Sequence, residues 1–162
     1  MGLKNVKISL PQISKELEKI NSSREFLIKN NREVIINCSQ AIIAIHKNDL
    51  GAAKLKIKKA KLLLGKLKQK AIGDLSRYIL TPEQELVEAV ALLSIIEGKQ
   101  IPSYKSIKVS GESYILGLLD CIGELKRQII DQIRIGNSKK AENYFEIMEN
   151  LYLILYPFAT YD

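Results

Sequence analysis

Residues 110–136, SGESYILGLLDCIGELKRQIIDQIRIG, place two carboxylates inside an otherwise apolar helical pattern. Asp120 and Glu124 are four residues apart and therefore lie on one face of a helix. Because apolar side chains flank both acids, the pattern predicts that this is the most deeply buried helix of the fold. Buried carboxylates are costly unless something compensates their charge. Gly117 and Gly123 each give up about 1 kcal/mol of helix propensity relative to alanine, which usually reserves space for a ligand or a close neighbour.

A second acidic pair lies in the segment TPEQELVEAVALLSIIEG, residues 81–98. Glu85 and Glu88 are three residues apart, so they also share a helical face. The loop of residues 100–109 allows this helix and the 110–136 helix to lie side by side. The sequence therefore predicts that the two acidic pairs face each other.

Further helices follow from apolar residues that recur every three or four positions. They are predicted from about Leu10 to His46, over residues 50–71, and from Asn137 or Ser138 onwards. The 81–98 helix begins with a capping signature formed by Thr81, Pro82 and Gln84. Residues Gly73–Leu80 before it are predicted to form a hinge. No segment has a strand pattern. The sequence predicts an all-α fold, a single-domain antiparallel helical bundle of five to seven helices over residues 1–162.

Length and composition narrow the class of protein. A chain of 162 residues with 46% hydrophobic content supports one domain with a sizeable core. We find no signal peptide or membrane-spanning run, so we expect a soluble cytoplasmic protein that does not enter a membrane. Cys38 and Cys121 are predicted to be reduced core thiols. His46 is the single histidine and is predicted to be a helix-end residue, which makes a zinc site or a histidine-based hydrolase hard to assemble.

The positive charge of the protein has one source. Between residues 49 and 71 the sequence carries eight lysines against the single acid Asp49, which accounts for the whole net charge of +7. These lysines are Lys54, Lys56, Lys58, Lys59, Lys61, Lys66, Lys68 and Lys70. A lysine-coated helix attracts phosphate backbones, but a solvated helix face explains the same pattern, and both interpretations stay open.

Four carboxylates on two packed helices would repel one another and take up protons, so a divalent cation is a natural compensation. Ligation by oxygen alone favours Mg²⁺ or Mn²⁺ over zinc. In a basic protein this combination points to hydrolysis of phosphodiesters. The alternative is that the acids pair with Arg77, Lys126 or Arg127, or lie on an exposed seam.

Two motifs resemble those of the translin and TRAX family. The run VSGESYILGLLDCIGELKRQIIDQIRIGN, residues 109–137, is similar to the family signature in which a Tyr-Leu-x-Gly helix leads into Gly-Glu-Leu-x-Arg or Ser-Glu-Leu-x-Arg. QELVEA, residues 84–89, resembles the Gln-Glu-Tyr-Val-Glu-Ala motif of the TRAX branch. SSREFLIKNNREVI and IAIHK are weaker matches. The similarity spans most of the chain and keeps its order.

The resemblance implies an α-helical bundle that assembles into an octameric, hollow shell and that binds and cuts single-stranded RNA. TRAX is the catalytic branch, a Mg²⁺-dependent endoribonuclease, whereas translin binds RNA and DNA but lacks the acidic set. Glu85 and Glu88 match the glutamates of the TRAX motif, Asp120 matches the aspartate of the long helix, and Glu124 matches the glutamate of Gly-Glu-Leu. All four acids are present, which places the chain with TRAX.

The mechanism that this resemblance predicts uses Glu85, Glu88, Asp120 and Glu124 as metal ligands and catalytic residues for one or two Mg²⁺ or Mn²⁺ ions. Arg32, Lys126 and Arg127 are candidates for binding the nucleic-acid backbone. The expected partners are single-stranded RNA, single-stranded DNA and further copies of the same chain. Two other classes of function remain: a non-catalytic single-stranded RNA- or DNA-binding protein of the translin type, and a purely structural helical oligomer.

Overall fold

The computed structural model describes residues 3–160, and this part of the chain contains six α-helices and no β-strand. The helices are α1 (Lys4–His46), α2 (Leu50–Lys68), α3 (Leu80–Ile96), α4 (Tyr104–Ile107), α5 (Gly111–Arg134) and α6 (Ser138–Leu155), with 3-10 segments at Gly73–Ile79 and Tyr156–Thr160. The prediction of an all-α helical bundle is confirmed.

Local signals fix most of the helix ends. Asn48 has a positive φ of 59° and follows the last turn of α1, a conformation that asparagine tolerates well. The Asp49 side chain then accepts a hydrogen bond from the backbone N–H of Ala52 at 2.9 Å and starts α2. Ser110 and Asn137 cap α5 and α6 in the same way. The short turns of residues 47–49 and 135–137 make α1 with α2, and α5 with α6, antiparallel pairs.

The predicted cap at Thr81 is wrong. Helix α3 begins at Leu80, with Ile79 in the cap position and no side-chain hydrogen bond to the first turn. The predicted hinge is itself a 3-10 helix, Gly73–Ile79, and it continues directly into α3. The first turn of α3 therefore needs no separate capping side chain, because the preceding 3-10 turn occupies that place.

Helix α3, and not α5, is the most deeply buried helix, which corrects the prediction. It packs against α1, α2 and α5, and apolar residues on every side of it, such as Leu86, Val87 and Leu92, are buried. Helix α5 buries Leu118 and Cys121 but turns a polar side outward. A helix that is apolar all round suits a central position, whereas an amphipathic helix suits the edge of the bundle.

The first half of α1 extends beyond the bundle. The helix starts at Lys4, earlier than predicted, and its buried positions begin only at Leu27. An apolar stripe at alternating spacings of four and three therefore stays about half exposed over Val6, Leu10, Ile13, Leu17 and Ile20. Helical periodicity alone does not place these five positions in the core, since no other helix of the described chain covers them.

Two further observations concern the class of protein. No helix within residues 3–160 combines the length and the apolar character needed to cross a membrane. Cys38 and Cys121 are buried free thiols, as predicted. Burial, followed by nearby carboxylates, raises the pKa of each thiol to about 12, so both stay protonated and poorly nucleophilic at neutral pH.

Candidate carboxylate site

The structure places the four predicted acids near one another on α3 and α5. Burial, and then the charges of Glu85, Asp120 and Glu124, raise the pKa of Glu88 to about 8. Burial, followed by the charge of Asp120, also raises the pKa of Glu85. The Gln84 side chain of α3 also reaches Asp120 of α5, so the acidic sides of α3 and α5 face each other, as the sequence predicts.

Helix α1 forms a third side of this site. The pKa of the Cys38 thiol on α1 is raised by burial and then by Glu85 and Glu88. The pKa of Cys121 on α5 is raised by burial and then by acids of both helices, Glu88 first. The carboxylates therefore lie beside two neutral, buried thiols where α1, α3 and α5 meet. Glu85, Glu88 and Glu124 are partly buried there, whereas Asp120 is exposed.

Two of the acids have partners within the chain. The Gln84 side-chain amide donates a hydrogen bond to Oδ2 of Asp120 at 2.6 Å. Glu124 Oε2 lies 2.5 Å from Nε2 of His46 and 3.9 Å from Nη1 of Arg127. The predicted alternative was that each acid pairs with a basic side chain. Of the four acids, only Glu124 has such a partner within residues 3–160.

The other two acids have no such compensation. Glu85 and Glu88 form no salt bridge and no side-chain hydrogen bond with any residue between 3 and 160. Uncompensated carboxylates of this kind, with oxygen as the sole donor atom, suit a hard dication such as Mg²⁺ or Mn²⁺. In the described chain, however, no group of three or more His, Cys, Asp or Glu side chains is arranged to hold an ion. The donor set fits the metal, but the side chains are not gathered around one point.

The sequence did not reveal His46 and Gln128 as members of this site. The His46 side chain is 5% exposed, and its Nδ1 lies 3.0 Å from the amide nitrogen of Gln128. Gln128 follows Glu124 by four residues, so the shared face of α5 was a usable signal. His46 is 78 residues away from Glu124, and nothing in the local pattern indicates that contact.

The three predicted nucleic-acid contacts occupy different places. Arg127 lies beside Glu124. Lys126 is two residues from Glu124, about 200° around α5, and is exposed on the far side. Arg32 is exposed on α1, fourteen residues before His46, hence on roughly the same side of α1 and about 21 Å along its axis. Of the three, Arg127 alone has a contact with one of the four acids within residues 3–160.

The lysines of α2 border a separate groove of about 680 Å³ between α2, α3 and the segment around α4. Lys54, Lys58, Lys61, Lys68 and Lys108 line it above an aliphatic floor. Two of these lysines are already paired, Lys54 with Glu97 at 2.5 Å and Lys68 with Glu83 at 2.6 Å. The groove uses the side of α3 that carries Leu86 and Leu93, which is not the side of the acids Glu85 and Glu88.

The raised pKa of Glu88 predicts how stability changes with pH. Glu88 has a pKa of about 8 in the folded protein and an ordinary value of 4.5, so between these values the folded state holds a proton that the unfolded state has released. The free energy of unfolding should therefore fall as pH rises from about 4.5 to about 8 and then level off. We expect a loss of about 1–2 kcal/mol, since the partial exposure of Glu88 screens the effect.

Urea unfolding between pH 5 and pH 9 in EDTA measures this change. Glu88→Gln is the matched control because it removes the titrating group and keeps the shape of the side chain. The variant should equal the wild type at pH 5 and exceed its stability at pH 9. Identical pH profiles for the two proteins would show that Glu88 has no raised pKa.

Comparison with known proteins supports a family assignment. None of the known family models matches the sequence. The chain is 38% identical over 150 residues to an uncharacterised protein of Methanocaldococcus jannaschii, covering 87% of this chain and 65% of that protein. The chain thus spans less than two thirds of the length of that curated relative.

Several solved structures have the same fold. The crystal structure of AfC3PO is 32% identical, with a TM-score of 0.85 over 94% of this chain and 80% of AfC3PO. The complex of AfC3PO with duplex RNA superimposes equally well, at 31% identity and a TM-score of 0.85. Apo-NeC3PO, at 22% identity and a TM-score of 0.83 over 92% of this chain and 81% of NeC3PO, shares the fold.

C3PO is the complex of translin and TRAX. The identity to AfC3PO exceeds 30%, and the match covers four fifths of its chain. The protein therefore belongs to the translin/TRAX family.

Proposed function

We propose that the protein is a Mg²⁺-dependent endoribonuclease that binds and cleaves single-stranded RNA, as members of the TRAX branch do. The observation that carries this proposal is the pair Glu85 and Glu88, which face Asp120 and Glu124 without a cationic partner of their own in residues 3–160. An arrangement that served stability alone would pair or remove such charges. The solved complex of AfC3PO with duplex RNA supports RNA as the ligand.

Each group of the site then has a role. Glu85, Glu88, Asp120 and Glu124 would hold Mg²⁺, or Mn²⁺ in its place, through their carboxylate oxygens. When bound, the ion supplies a more acidic water molecule and charge stabilisation at the leaving oxygen. One of the glutamates accepts the proton of the attacking water. Arg32 and Arg127 contact the phosphate backbone and orient the strand across the acids.

A cleavage assay with a fluorescent single-stranded RNA tests the proposal. We expect cleavage in Mg²⁺ or Mn²⁺, none in EDTA, and recovery when excess metal is restored. Internal fragments from an RNA that is blocked at both ends would distinguish an endonuclease from an exonuclease. A single-stranded DNA of the same sequence serves as control, since the protein should bind it without cleaving it.

The same samples separate the competing functions. Salt-dependent binding without metal-dependent cleavage would support the translin-type alternative, a non-catalytic single-stranded RNA- or DNA-binding protein. If the protein showed no salt-dependent RNA binding, the result would support the other alternative, a purely structural helical oligomer. Either result would contradict the nuclease proposal.

We further propose that copies of the chain assemble, with the octamer of the family as the expected state. The exposed stripe of α1, from Val6 to Ile20, supports an assembly because its spacing of four and three residues is that of a helix-packing seam. A contiguous apolar surface of this length is rare on a monomer. We infer that a second copy of the chain covers this half of α1. Light scattering in solution measures the mass of the assembly, and the mass of a monomer would contradict the inference.

A further inference from the structure

One polar group at the edge of the carboxylate site has no role in the proposed function. His46 is the last residue of α1, and its side chain is 95% buried against α5. Both ring nitrogens have a partner on α5: Nε2 lies 2.5 Å from Glu124 Oε2, and Nδ1 lies 3.0 Å from the Gln128 amide nitrogen. A buried imidazole that is held at both nitrogens has a fixed orientation.

The chemistry of Gln128 decides which nitrogen of His46 carries the proton. An amide nitrogen is a donor and never an acceptor, so Nδ1 must accept the hydrogen bond from Gln128. Nε2 is therefore the nitrogen that donates a proton to Glu124 Oε2. Asp131, at 3.7 Å from Nδ1, is too distant for a hydrogen bond and does not compete for this nitrogen.

The contacts of Glu124 all use one of its two oxygens. His46 and Arg127 both approach Oε2, and Oε1 has no hydrogen bond or ion pair within residues 3–160. The imidazole thus ties one oxygen of Glu124 to the end of α1, and the other oxygen stays available for a further ligand. Histidine–carboxylate contacts outside the ligand set are known to orient metal ligands in this way.

We propose that His46 is a positioning residue, which holds Glu124 so that Oε1 is presented to the divalent cation of the carboxylate site. This inference rests on the proposed function, because it assigns a role toward the metal that the four acids would bind. His46 itself touches neither metal nor RNA. Its effect reaches the site through Glu124 alone, and Gln128 acts one step further out by fixing the tautomer of His46.

Direct binding of Mn²⁺ to the purified, metal-free protein tests this role without an activity measurement. His46→Leu should lower Mn²⁺ affinity about ten-fold or more, the range typical of residues that orient metal ligands. His46→Gln keeps an N–H donor near the position of Nε2 and should recover most of that affinity. Asp131→Asn is the control, since it changes a charge beside the same ring without breaking a hydrogen bond, and should stay within two-fold of the wild type.

Long-range ¹H–¹⁵N NMR of the imidazole provides a second readout that needs no metal. The wild type should show the Nε2–H tautomer, and Gln128→Leu should weaken this preference and lower Mn²⁺ affinity less than His46→Leu does. If His46→Leu does not fold, His46→Gln and Gln128→Leu carry the comparison.

The outcomes separate this inference from the proposed function. Mn²⁺ binding by the wild type that His46→Leu leaves unchanged would overturn the positioning role and spare the metal site. An Nδ1–H tautomer in the wild type would do the same. Failure of the wild type to bind Mn²⁺ at all would overturn both.

Discussion

Glu88→Gln and Asp120→Asn should each lower the rate of metal-dependent RNA cleavage by a factor of about 100 or more, a loss typical for removal of a group that acts in the chemical step. Each substitution replaces a charged carboxylate by a neutral amide and nearly preserves the volume of the side chain. Glu88 experiences the charges of all three other acids, Glu85, Asp120 and Glu124. Loss of its charge weakens every interaction that the set could make with a cation.

Fluorescence anisotropy with RNA in EDTA should show that both variants bind nearly as well as the wild type, because the acids do not contact the strand without metal. Glu112→Gln is the matched control, an exposed acid in the first turn of the same helix as Asp120. It should cleave at the wild-type rate. Full cleavage by both site variants would remove these carboxylates from the mechanism.

The same substitution at Glu88 should make the metal-free protein more stable at alkaline pH. The negative charges that the site keeps for a cation repel one another when the cation is absent, and Glu88→Gln removes one of them. A functional group often lowers the free energy of unfolding of the protein that carries it. Its removal is therefore expected to raise stability and to abolish cleavage together. A purely structural role for Glu88 would predict the opposite, a loss of stability.

The helices and the pairing of the acids could be predicted because both depend on spacing along one helix. Asp120 and Glu124, like Glu85 and Glu88, share a face whatever the helix packs against. The contact between His46 and Glu124 could not be predicted, because it joins positions 78 residues apart and depends on where α1 ends. Only the fold places that ring against α5.

Burial was harder to predict than periodicity. The stripe from Val6 to Ile20 has the same spacing as the buried positions from Leu27 onwards, yet only the second set is covered within the chain. Periodicity states that a helix face needs a partner, but not whether the same chain supplies it. In α5 the apolar residues beside Asp120 suggested deep burial, whereas the polar face of that helix is what keeps it at the edge.

Gly117→Ala should destabilise the protein by about 1–3 kcal/mol, the usual cost of overpacking. A Cβ at Gly117 would lie 2.5 Å from the backbone oxygen of Gln84 and 2.6 Å from Cβ of Val87. Neither atom belongs to a flexible side-chain end, so α3 and α5 would have to move apart. Separation of the helices would also loosen the hydrogen bond from Gln84 to Asp120, so cleavage should fall together with stability.

Gly123→Ala is the control for this experiment, since a Cβ there would meet no atom within 4 Å. It lies in the same helix and gains the same helix propensity, up to about 1 kcal/mol, without a clash. Urea unfolding of the two variants should therefore give changes of opposite sign. Both glycines looked alike in the sequence, as space reserved for a neighbour. If Gly117→Ala were as stable as Gly123→Ala, the close approach of α3 and α5 that brings the acids together would not exist.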